Sequence, residues 1–429
     1  MMTQEENDRL TRVSPGTPAG ELLRRYWQPV ALAEELSSAA APKPVRLLGE
    51  DLVIFRDNHG KTGLLDLHCA HRGADLSYGR LEDGGLRCIY HGWLYDIHGR
   101  CLDQPGEPAG SSAHEGIRLK SYPCLEAAGL IFAYLGSGEP PLLPAYEILT
   151  VPEDCRFVMK VHSDCNYLQG NEGNIDPVHL SFLHRMFDEG MASGNRPSQY
   201  STVRGSDNSP NRLMGMNLAP SVEVELADFG ERILTWRPVG DKAYLRVSNF
   251  VMPNLCAVPG ETQGAGYLVN WHVPIDDENH WKYMIVFSRE APLDKVRFRE
   301  RYSQEITPDY QPTRHRANRY LQDRAEMQTK SFAGLGPFFP SHDLFATESQ
   351  GPIEDRTREH LVSSDKAVAG ARKLLLKAME DVRAGKDPLH VVRDPKLNRY
   401  PHMIVISEVV PSSIDWKDYA HKVEARVGV

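Results

Sequence analysis

Two short segments in the first quarter of the chain each contain one cysteine, one histidine and a glycine close behind. They read "CAHRG", with Cys69 and His71, and "CIYHGW", with Cys88 and His91. Two thiolates and two imidazoles can hold one Zn²⁺ ion in a tetrahedral structural site. The same four groups can instead hold a [2Fe–2S] cluster, with both cysteines on one iron and both histidines on the other. Because zinc sites of this composition are common, ligand types alone favour zinc.

The distribution of ligands between the two segments favours the cluster. A zinc finger usually pairs cysteine with cysteine and histidine with histidine, whereas here each segment supplies one of each. Two loops that each deliver one Cys and one His suit a two-iron cluster, because each loop must reach both irons. Gly73 and Gly92 follow the histidines and allow the backbone to turn closely around the sulfides. The spacing therefore predicts a [2Fe–2S] cluster, with a structural zinc site as the alternative.

A second set of potential metal ligands lies in "NEGNIDPVHLSFLH", a segment predicted to be helical. Asp176, His179 and His184 are spaced D-x₂-H-x₄-H. His184 lies five residues after His179, about 140° around an ideal helix. Both histidines can meet one ion only if the helix ends, tightens or bulges between them. Alternatively, Asp176 and Pro177 could simply start a helix, with both histidines in packing or surface roles.

The pattern of elements predicts an α+β protein. Thr17-Pro18 begins a predicted helix in "TPAGELLRRYW", and short strands separated by turns follow from Pro44. A segment rich in Gly and Pro (136–144) predicts a domain boundary. Beyond it, strand-like runs at meander spacing precede an amphipathic helix, "KAVAGARKLLLKAMEDV". We expect an N-terminal helical segment (1–43), a small all-β domain (44–140) and a larger domain of antiparallel sheet and helices (145–429).

Composition excludes several classes of protein. The chain is 41% apolar and 25% charged, with a net charge of −9 and a pI of about 6.0, so no nucleic-acid surface is expected. No apolar run suggests a signal peptide or a membrane span. An odd number of cysteines argues against a disulfide framework and favours a cytoplasmic protein. No G-x-G-x-x-G motif follows a strand, so no dinucleotide-binding domain is predicted. The seven cysteines are Cys69, Cys88, Cys101, Cys124, Cys155, Cys165 and Cys256.

Taken together, the chain resembles the large (α) subunit of the Rieske non-haem iron oxygenases, in the branch of phthalate dioxygenase-like enzymes and aromatic O-demethylases. The resemblance covers nearly the whole chain, from "GTPAGELLRRYW" through both ligand motifs to "HDLFATESQGPIEDRTREHL" (342–361). It implies an all-β Rieske [2Fe–2S] domain and a catalytic domain of the helix-grip type. Respiratory Rieske proteins carry a disulfide between the cluster loops and a Ser after the last His-Gly. Ala74, Tyr90 and Trp93 stand at those positions here, which implies a lower reduction potential suited to oxygen chemistry.

The resemblance also implies roles for individual residues. His179, His184 and Asp343 would bind the mononuclear Fe(II) and leave positions open for O₂. His342 and Glu348 compete with Asp343 for this role, and Asp343 could instead be the N-cap of a helix "LFATES". Asp176 would link His179 to the cluster ligand His91 of a neighbouring chain, as an electron-transfer bridge. The resemblance also implies a head-to-tail homotrimer, alone or stacked on a second one.

The implied activity is that of a terminal oxygenase acting on an aromatic carboxylic acid. Electrons would come from a separate NAD(P)H-dependent flavin and iron–sulfur reductase, directly or through a ferredoxin. The outcome would be ring hydroxylation, or O-demethylation of a methoxylated acid of the vanillate or biphenyl lignin-derived type. An anionic substrate requires a cation, for which Arg246 is the first candidate and Arg204, Arg212 and Arg237 are weaker ones; Arg246 could instead form a structural ion pair.

Two alternatives from other classes remain at this point. One is a Rieske electron carrier whose C-terminal domain serves only for docking, with about two irons per chain rather than about three. The other is a zinc-binding interaction protein, which would be colourless.

Overall fold

The protein is described by a computed structural model, which covers residues 2–37, 41–186, 210–260, 262, 265–399 and 403–427. The α-helices are α1 (Gln4–Thr11), α2 (Pro18–Leu23), α3 (Glu147–Thr150), α4 (Tyr167–Ile175), α5 (Pro210–Met216), α6 (Lys295–Ser303), α7 (Glu326–Thr329), α8 (Phe339–Glu348), α9 (Lys366–Arg383) and α10 (Trp416–Val427). The short 3₁₀ helices are Ala33–Leu36, Leu76–Tyr78, Ala113–Gly116, Glu153–Cys155, His179–Ser181, Arg316–Leu321, Ser363–Asp365 and Pro395–Leu397.

The β-strands fall into two groups along the chain. The first group is β1 (Gln28–Leu32), β2 (Lys43–Leu47), β3 (Glu50–Arg56), β4 (Thr62–Asp66), β5 (Arg80–Glu82), β6 (Gly85–Arg87), β7 (Leu94–Tyr95), β8 (Cys101–Asp103), β9 (Cys124–Ala127) and β10 (Leu130–Ala133). The second is β11 (Arg156–Ser163), β12 (Ser221–Ala227), β13 (Gly230–Val239), β14 (Lys242–Val251), β15 (Leu255–Val258), β16 (Leu268–Pro274), β17 (His280–Phe287) and β18 (Ile406–Pro411).

The N-terminal strands form three small antiparallel sheets, in the orders β1-β10-β9, β2-β3-β4 and β5-β6-β7-β8. Alternating apolar residues of β3 and β4 pack on β6 and β7 in a core of their own, which includes Phe55, Leu86 and Tyr95. Cys69 and Cys88 lie in this core. The segment expected to be helical (1–43) also contains β1, which pairs with β10.

The C-terminal strands form one large antiparallel sheet in the order β11-β17-β16-β15-β14-β13-β12, with β18 paired along β14. The helix α4 packs across the centre of this sheet, against β14 to β17, and α8 packs on α4. Two glycines of α4 allow these close approaches. A Cβ at Gly170 would lie 2.2 Å from the His272 ring on β16, and one at Gly173 would lie 3.1 Å from Thr347 on α8.

The predicted α+β architecture is confirmed, but the helix predicted around Asp176 is wrong in extent. The helix α4 ends at Ile175, with Asp176 in an extended conformation (φ −76°, ψ 120°) as its C-cap. A 3₁₀ turn, His179–Ser181, follows. Pro177 explains the stop, because it disfavours the helical conformation at the residue before it. Asp176 therefore ends one helix rather than starting another.

Candidate metal centres

The two Cys/His loops of the N-terminal region have matching backbone geometry. Gly73 N–H donates to Cys69 O, and Gly92 N–H donates to Cys88 O, both at 2.9 Å. Both glycines have positive φ, +72° and +78°, which residues with a side chain rarely adopt. The expected need for glycine after each histidine is therefore met in both loops.

Within this pair of loops the sulfurs are buried and the imidazoles are exposed. Cys69 and Cys88 are 4% and 3% exposed, and the hydroxyl of Tyr95 lies 3.2 Å from Cys69 Sγ. The rings of His71 and His91 are solvent-exposed, 4.4 Å apart between centroids, and Trp93 stacks on His71. Buried sulfurs and exposed imidazoles suit a two-iron cluster whose inner iron is bound by the cysteines and whose outer iron is bound by the histidines.

A single metal ion fits these loops poorly. Among the described residues, one set of three or more His, Cys, Asp or Glu side chains has its ligand atoms within 4.8 Å of one another. That set contains none of the four Cys and His residues of these loops. The Cys/His quartet is therefore too widely spaced for one tetrahedral Zn²⁺, which binds its ligands at about 2.0–2.3 Å.

The compact set of ligand atoms consists of His179, His184 and Asp343. Asp343 Oδ1 lies 2.9 Å from His184 Nε2 and 3.9 Å from His179 Nε2. The two imidazole centroids are 5.0 Å apart. The end of α4 before His179 supplies the departure from helical geometry that the five-residue spacing required. Two imidazoles and one carboxylate are the ligand set typical of non-haem Fe(II) oxygenases.

The electrostatics of this triad suit a metal ion. Burial lowers the pKa of His184 to about 4, so its imidazole is neutral, the form that binds a metal ion. Burial tends to raise the pKa of Asp343, but His184 and Lys282 nearby hold it well below its usual range. The carboxylate is therefore ionised. Lys282 Nζ lies 3.6 Å from the other oxygen of Asp343, Oδ2.

Asp176 lies behind His179, on the side away from the other triad residues. Its Oδ1 accepts a hydrogen bond from Val178 N–H at 2.7 Å, and its Oδ2 lies 3.7 Å from His179 Nδ1. Nδ1 of His179 is buried and has no hydrogen-bond partner among the described residues. Despite the opposing effect of burial, the contact with Asp176 raises the pKa of His179. Asp176 is thus placed to orient the imidazole.

The competing residues lie outside the triad. His342 is fully buried, with Nδ1 2.9 Å from Leu183 O and Nε2 2.8 Å from Gly336 O. Glu348 accepts hydrogen bonds from Asp164 N–H and the Tyr320 hydroxyl. Asp343 is in the middle of α8, whose N-cap is Phe338, so the interpretation of Asp343 as an N-cap is wrong.

Two of the four candidate arginines lie on the inner face of the large sheet. Arg246 is 5% exposed on β14, and its charge partly opposes the rise in the pKa of His179. Arg237, on β13, is fully buried and donates to Pro177 O at 2.7 Å and Ser181 Oγ at 3.2 Å. It therefore holds the turn that carries His179, a contact that the sequence did not predict. Arg204 lies outside the described residues, as does the side chain of Arg212.

Two family models match most of the chain. A family model described as "Rieske [2Fe-2S] domain" matches residues 26–123, and one described as "LigXa C-terminal domain like" matches residues 134–427. The chain belongs to the Rieske non-haem iron oxygenases. It is therefore an enzyme that uses a Rieske [2Fe–2S] cluster, a mononuclear iron and O₂, as predicted.

Two relatives match this Rieske oxygenase over almost its whole length. The 5,5'-dehydrodivanillate O-demethylase oxygenase subunit of Sphingobium sp. is 33% identical over 403 residues, covering 93% of this chain and 85% of that protein. The phthalate 4,5-dioxygenase oxygenase subunit of Pseudomonas putida is 33% identical over 436 residues, covering 98% and 95%. The terminal oxygenase of carbazole 1,9a-dioxygenase from Nocardioides aromaticivorans has a similar fold, with a TM-score of 0.59 at 20% identity, covering 88% and 98%.

None of the helices in the described ranges of this Rieske oxygenase combines the length and apolar character needed to cross a membrane.

Proposed function

We propose that this Rieske oxygenase oxidises an aromatic carboxylic acid, with the acid group bound by arginines on β13 and β14. The observation that carries the proposal is the fully buried guanidinium group of Arg237, which contacts the turn that carries His179 and has two N–H groups without a hydrogen-bond partner among the described residues. A buried cation is costly unless an anion neutralises it. A substrate carboxylate would supply that anion.

The two arginines are neighbours on one face of the sheet. Arg246 pairs with Thr235 across the strands, and Arg237 pairs with Tyr244, so the two arginines are diagonal neighbours. Burial, with Arg246 adding to its effect, lowers the pKa of Arg237 to about 10. Nε and Nη1 of Arg237 have no hydrogen-bond partner among the described residues. These N–H groups provide donors for a carboxylate oxygen.

The triad would hold the iron, and Cys69, Cys88, His71 and His91 would hold the cluster. When bound, the iron supplies oxygen activation and the cluster supplies electrons. The protein's own residues position the reaction. Arg246 and Arg237 would fix the acid end of the substrate, Arg237 also fixes the turn that carries His179, and Asp176 orients the His179 ring.

The product depends on which carbon the arginines place nearest the iron. If a ring double bond is nearest, two hydroxyl groups are added and the product is a cis-dihydrodiol. If a methoxy carbon is nearest, its hydroxylation gives a hemiacetal that releases formaldehyde. The names of the two relatives correspond to these two outcomes. We infer that electrons reach the cluster from a separate NAD(P)H-dependent reductase, directly or through a ferredoxin.

Product analysis tests the proposal. Purified protein would be combined with a surrogate reductase and NADH, and offered phthalates, chlorobenzoates and methoxylated acids including biphenyl types. Formaldehyde equal to the substrate consumed identifies O-demethylation, and a dihydrodiol without formaldehyde identifies ring dioxygenation. Oxidation of uncharged aromatic compounds with no oxidation of any acid would contradict the proposal.

The role of Arg246 has its own test. We expect Arg246→Gln to raise KM for the preferred acid by about 10- to 100-fold, because a charge-assisted hydrogen bond is lost. The matched control is Arg232→Gln, a buried arginine on the same sheet that pairs with Glu225. An unchanged KM in Arg246→Gln would assign Arg246 to a structural role.

A further inference from the structure

We propose that Lys282 is a positioning residue that holds the second oxygen of Asp343, so that this carboxylate binds the iron through one oxygen only. The inference rests on the proposed iron triad. It concerns which of the two oxygens of Asp343 binds the iron and which contacts Lys282.

The two oxygens of Asp343 face different groups. Oδ1 lies between the two imidazoles, 2.9 Å from His184 Nε2 and 3.9 Å from His179 Nε2. Oδ2 lies 3.6 Å from Lys282 Nζ. A metal ion bound by both imidazoles would therefore meet Oδ1. Binding through Oδ2 as well would require the carboxylate to turn away from the ammonium.

Lys282 is built into the sheet, so its position is fixed. It is 4% exposed on β17, where it pairs with His272 on β16 and with Val161 on β11. Asp343 is the one carboxylate in ion-pair range of Lys282 within the described part of the chain. Breaking this pair would leave an ammonium group buried without a counter-charge, which is costly.

The other groups around Lys282 cannot replace Asp343 as its counter-charge. A cavity of about 100 Å³ lies beside the triad, and its lining includes His272, His280, Lys282 and two carboxylates, Asp176 and Asp343. Asp176 is in ion-pair range of His179, whereas Asp343 is in ion-pair range of Lys282. Burial lowers the pKa of His280 to about 3 and lowers that of His272 well below its usual value. Both rings are therefore neutral, and they contact each other at 3.0 Å. Asp343 is therefore the counter-charge of Lys282.

A one-oxygen carboxylate has a clear use in an oxygenase. Iron in a two-histidine, one-carboxylate site needs open positions for O₂. A carboxylate that binds through both oxygens occupies one more of these positions. Lys282 would keep that position available. It would also repel a divalent ion at Oδ2, since both carry positive charge.

The test uses Co²⁺ as a probe of the mononuclear site in the full-length protein. The site is emptied with a chelator while the visible spectrum shows that the cluster is retained. Co²⁺ is then titrated in, its dissociation constant is measured by chelator competition, and its EPR spectrum is recorded with the cluster oxidised. The variants are Lys282→Met, which removes the charge, and Lys282→Arg, which keeps it.

Two controls make the result specific. Lys160→Met removes another buried lysine, on β11, whose ammonium pairs with Glu35 at 2.6 Å. Asp343→Ala removes the proposed ligand itself. Unchanged Co²⁺ binding in Asp343→Ala would refute the triad, which is a different failure from that of the Lys282 proposal.

We expect Lys282→Met to change the Co²⁺ EPR spectrum, because a second carboxylate oxygen binds. We also expect its affinity for Co²⁺ to rise about tenfold, because a repelling charge is removed. Lys282→Arg and Lys160→Met should give the wild-type spectrum. A wild-type spectrum in Lys282→Met, whether binding is weaker or unchanged, would overturn the proposal. If Lys282→Met does not fold, Lys282→Gln serves as the neutral variant, judged by the same spectra.

Discussion

The two carboxylate oxygens of Asp176 contact different groups. A single substitution, Asp176→Asn, can therefore test the role of its negative charge. One oxygen accepts from the backbone of Val178, and the other faces His179 Nδ1. In Asp176→Asn the amide oxygen can still accept from Val178, but the negative charge facing the imidazole is lost. We expect both metal centres to remain and the transfer of electrons from the reduced cluster to fall about 10- to 100-fold.

The measurement is stopped-flow reoxidation of the reduced cluster with substrate and O₂ present. The matched control is Asp164→Asn, since Asp164 also faces a histidine, His162, at 3.2 Å but lies outside the triad. Reoxidation at the wild-type rate in Asp176→Asn would show that Asp176 is not the bridge.

At the scale of residues, the sequence could predict those whose types are unusual for their position. Cysteine and histidine repeated in two loops have few structural explanations, and the cluster was predicted from them. Arg237 was only a weaker candidate for binding the acid and Lys282 was not a candidate, because a single basic residue in a strand is compatible with many roles. Their contacts with Pro177 O and Asp343 depend on how the sheet packs against α4 and α8. The sequence contains no local pattern for such packing.

The helix α4 is held in place by a buried group of charges. Glu172 accepts hydrogen bonds from Arg356 at 2.8 Å and from Arg372 of α9 at 2.6 Å. Glu172→Gln would leave two buried guanidinium groups short of a counter-charge. We expect the free energy of unfolding to fall by about 3–5 kcal/mol. Because α4 leads directly into the turn with His179, mononuclear iron should be lost at lower urea concentration than in wild type.

Urea unfolding followed by circular dichroism measures the decrease in the free energy of unfolding. The control is Asp381→Asn, which breaks the exposed Lys377–Asp381 pair on α9 and should cost no more than about 0.5 kcal/mol. Equal stability of the two variants would mean that the buried group does not anchor α4.

A second prediction concerns the contact between β13 and α9. Glu231 on β13 is 2% exposed, and a Cβ at Gly370 of α9 would lie 2.1 Å from its Oε1. Burial raises the pKa of Glu231 to about 7, from an ordinary value of 4.5. The folded state therefore binds this proton more tightly than the unfolded state. The resulting stability is present below about pH 4.5 and is lost as the pH rises to about 7.

We expect Glu231→Gln to remove this pH dependence and to stabilise the protein at pH 8 by about 3 kcal/mol. Urea midpoints at pH 5 and pH 8 measure it. Glu223→Gln on β12, where the side chain is 43% exposed, is the control and should keep the wild-type dependence. A wild-type pH dependence in Glu231→Gln would contradict the assignment.

At the scale of elements, long patterned segments were predictable and short buried ones were not. Six strands and one helix correspond to strand-like and helical runs in the sequence: β11, β12, β13, β14, β16, β17 and α9. The strand β15 has only four residues, all buried, and it lacks the alternation that marks a half-buried strand. The strand β18 lies far along the chain from its partner β14, so its pairing depends on long-range contacts.

At the scale of the whole molecule, the bridging role predicted for Asp176 requires electron transfer from the cluster of one chain to the triad of its neighbour. Co-expression of two inactive variants tests it. His71→Ala removes a cluster ligand, and His184→Ala removes a triad residue. In a head-to-tail ring that assembles at random from equal amounts, about one quarter of the interfaces would join an intact cluster to an intact triad.

We therefore expect the mixture to show about one quarter of wild-type activity, while each variant alone is inactive. Light scattering after size-exclusion chromatography should give a trimer or two stacked trimers. Separately purified variants that are mixed without exchanging subunits are the control. Inactivity of co-expressed rings that contain both variants would place electron transfer within one chain.

The contact of Arg237 with the Pro177–Ser181 turn has a consequence for redesign of the enzyme's specificity. One edge of this guanidinium group fixes the turn that carries His179, and its remaining N–H groups are the donors proposed for the acid. Replacing Arg237 to accept an uncharged compound would also release the turn. Directed evolution toward neutral substrates should therefore accumulate changes at Arg246 and retain Arg237.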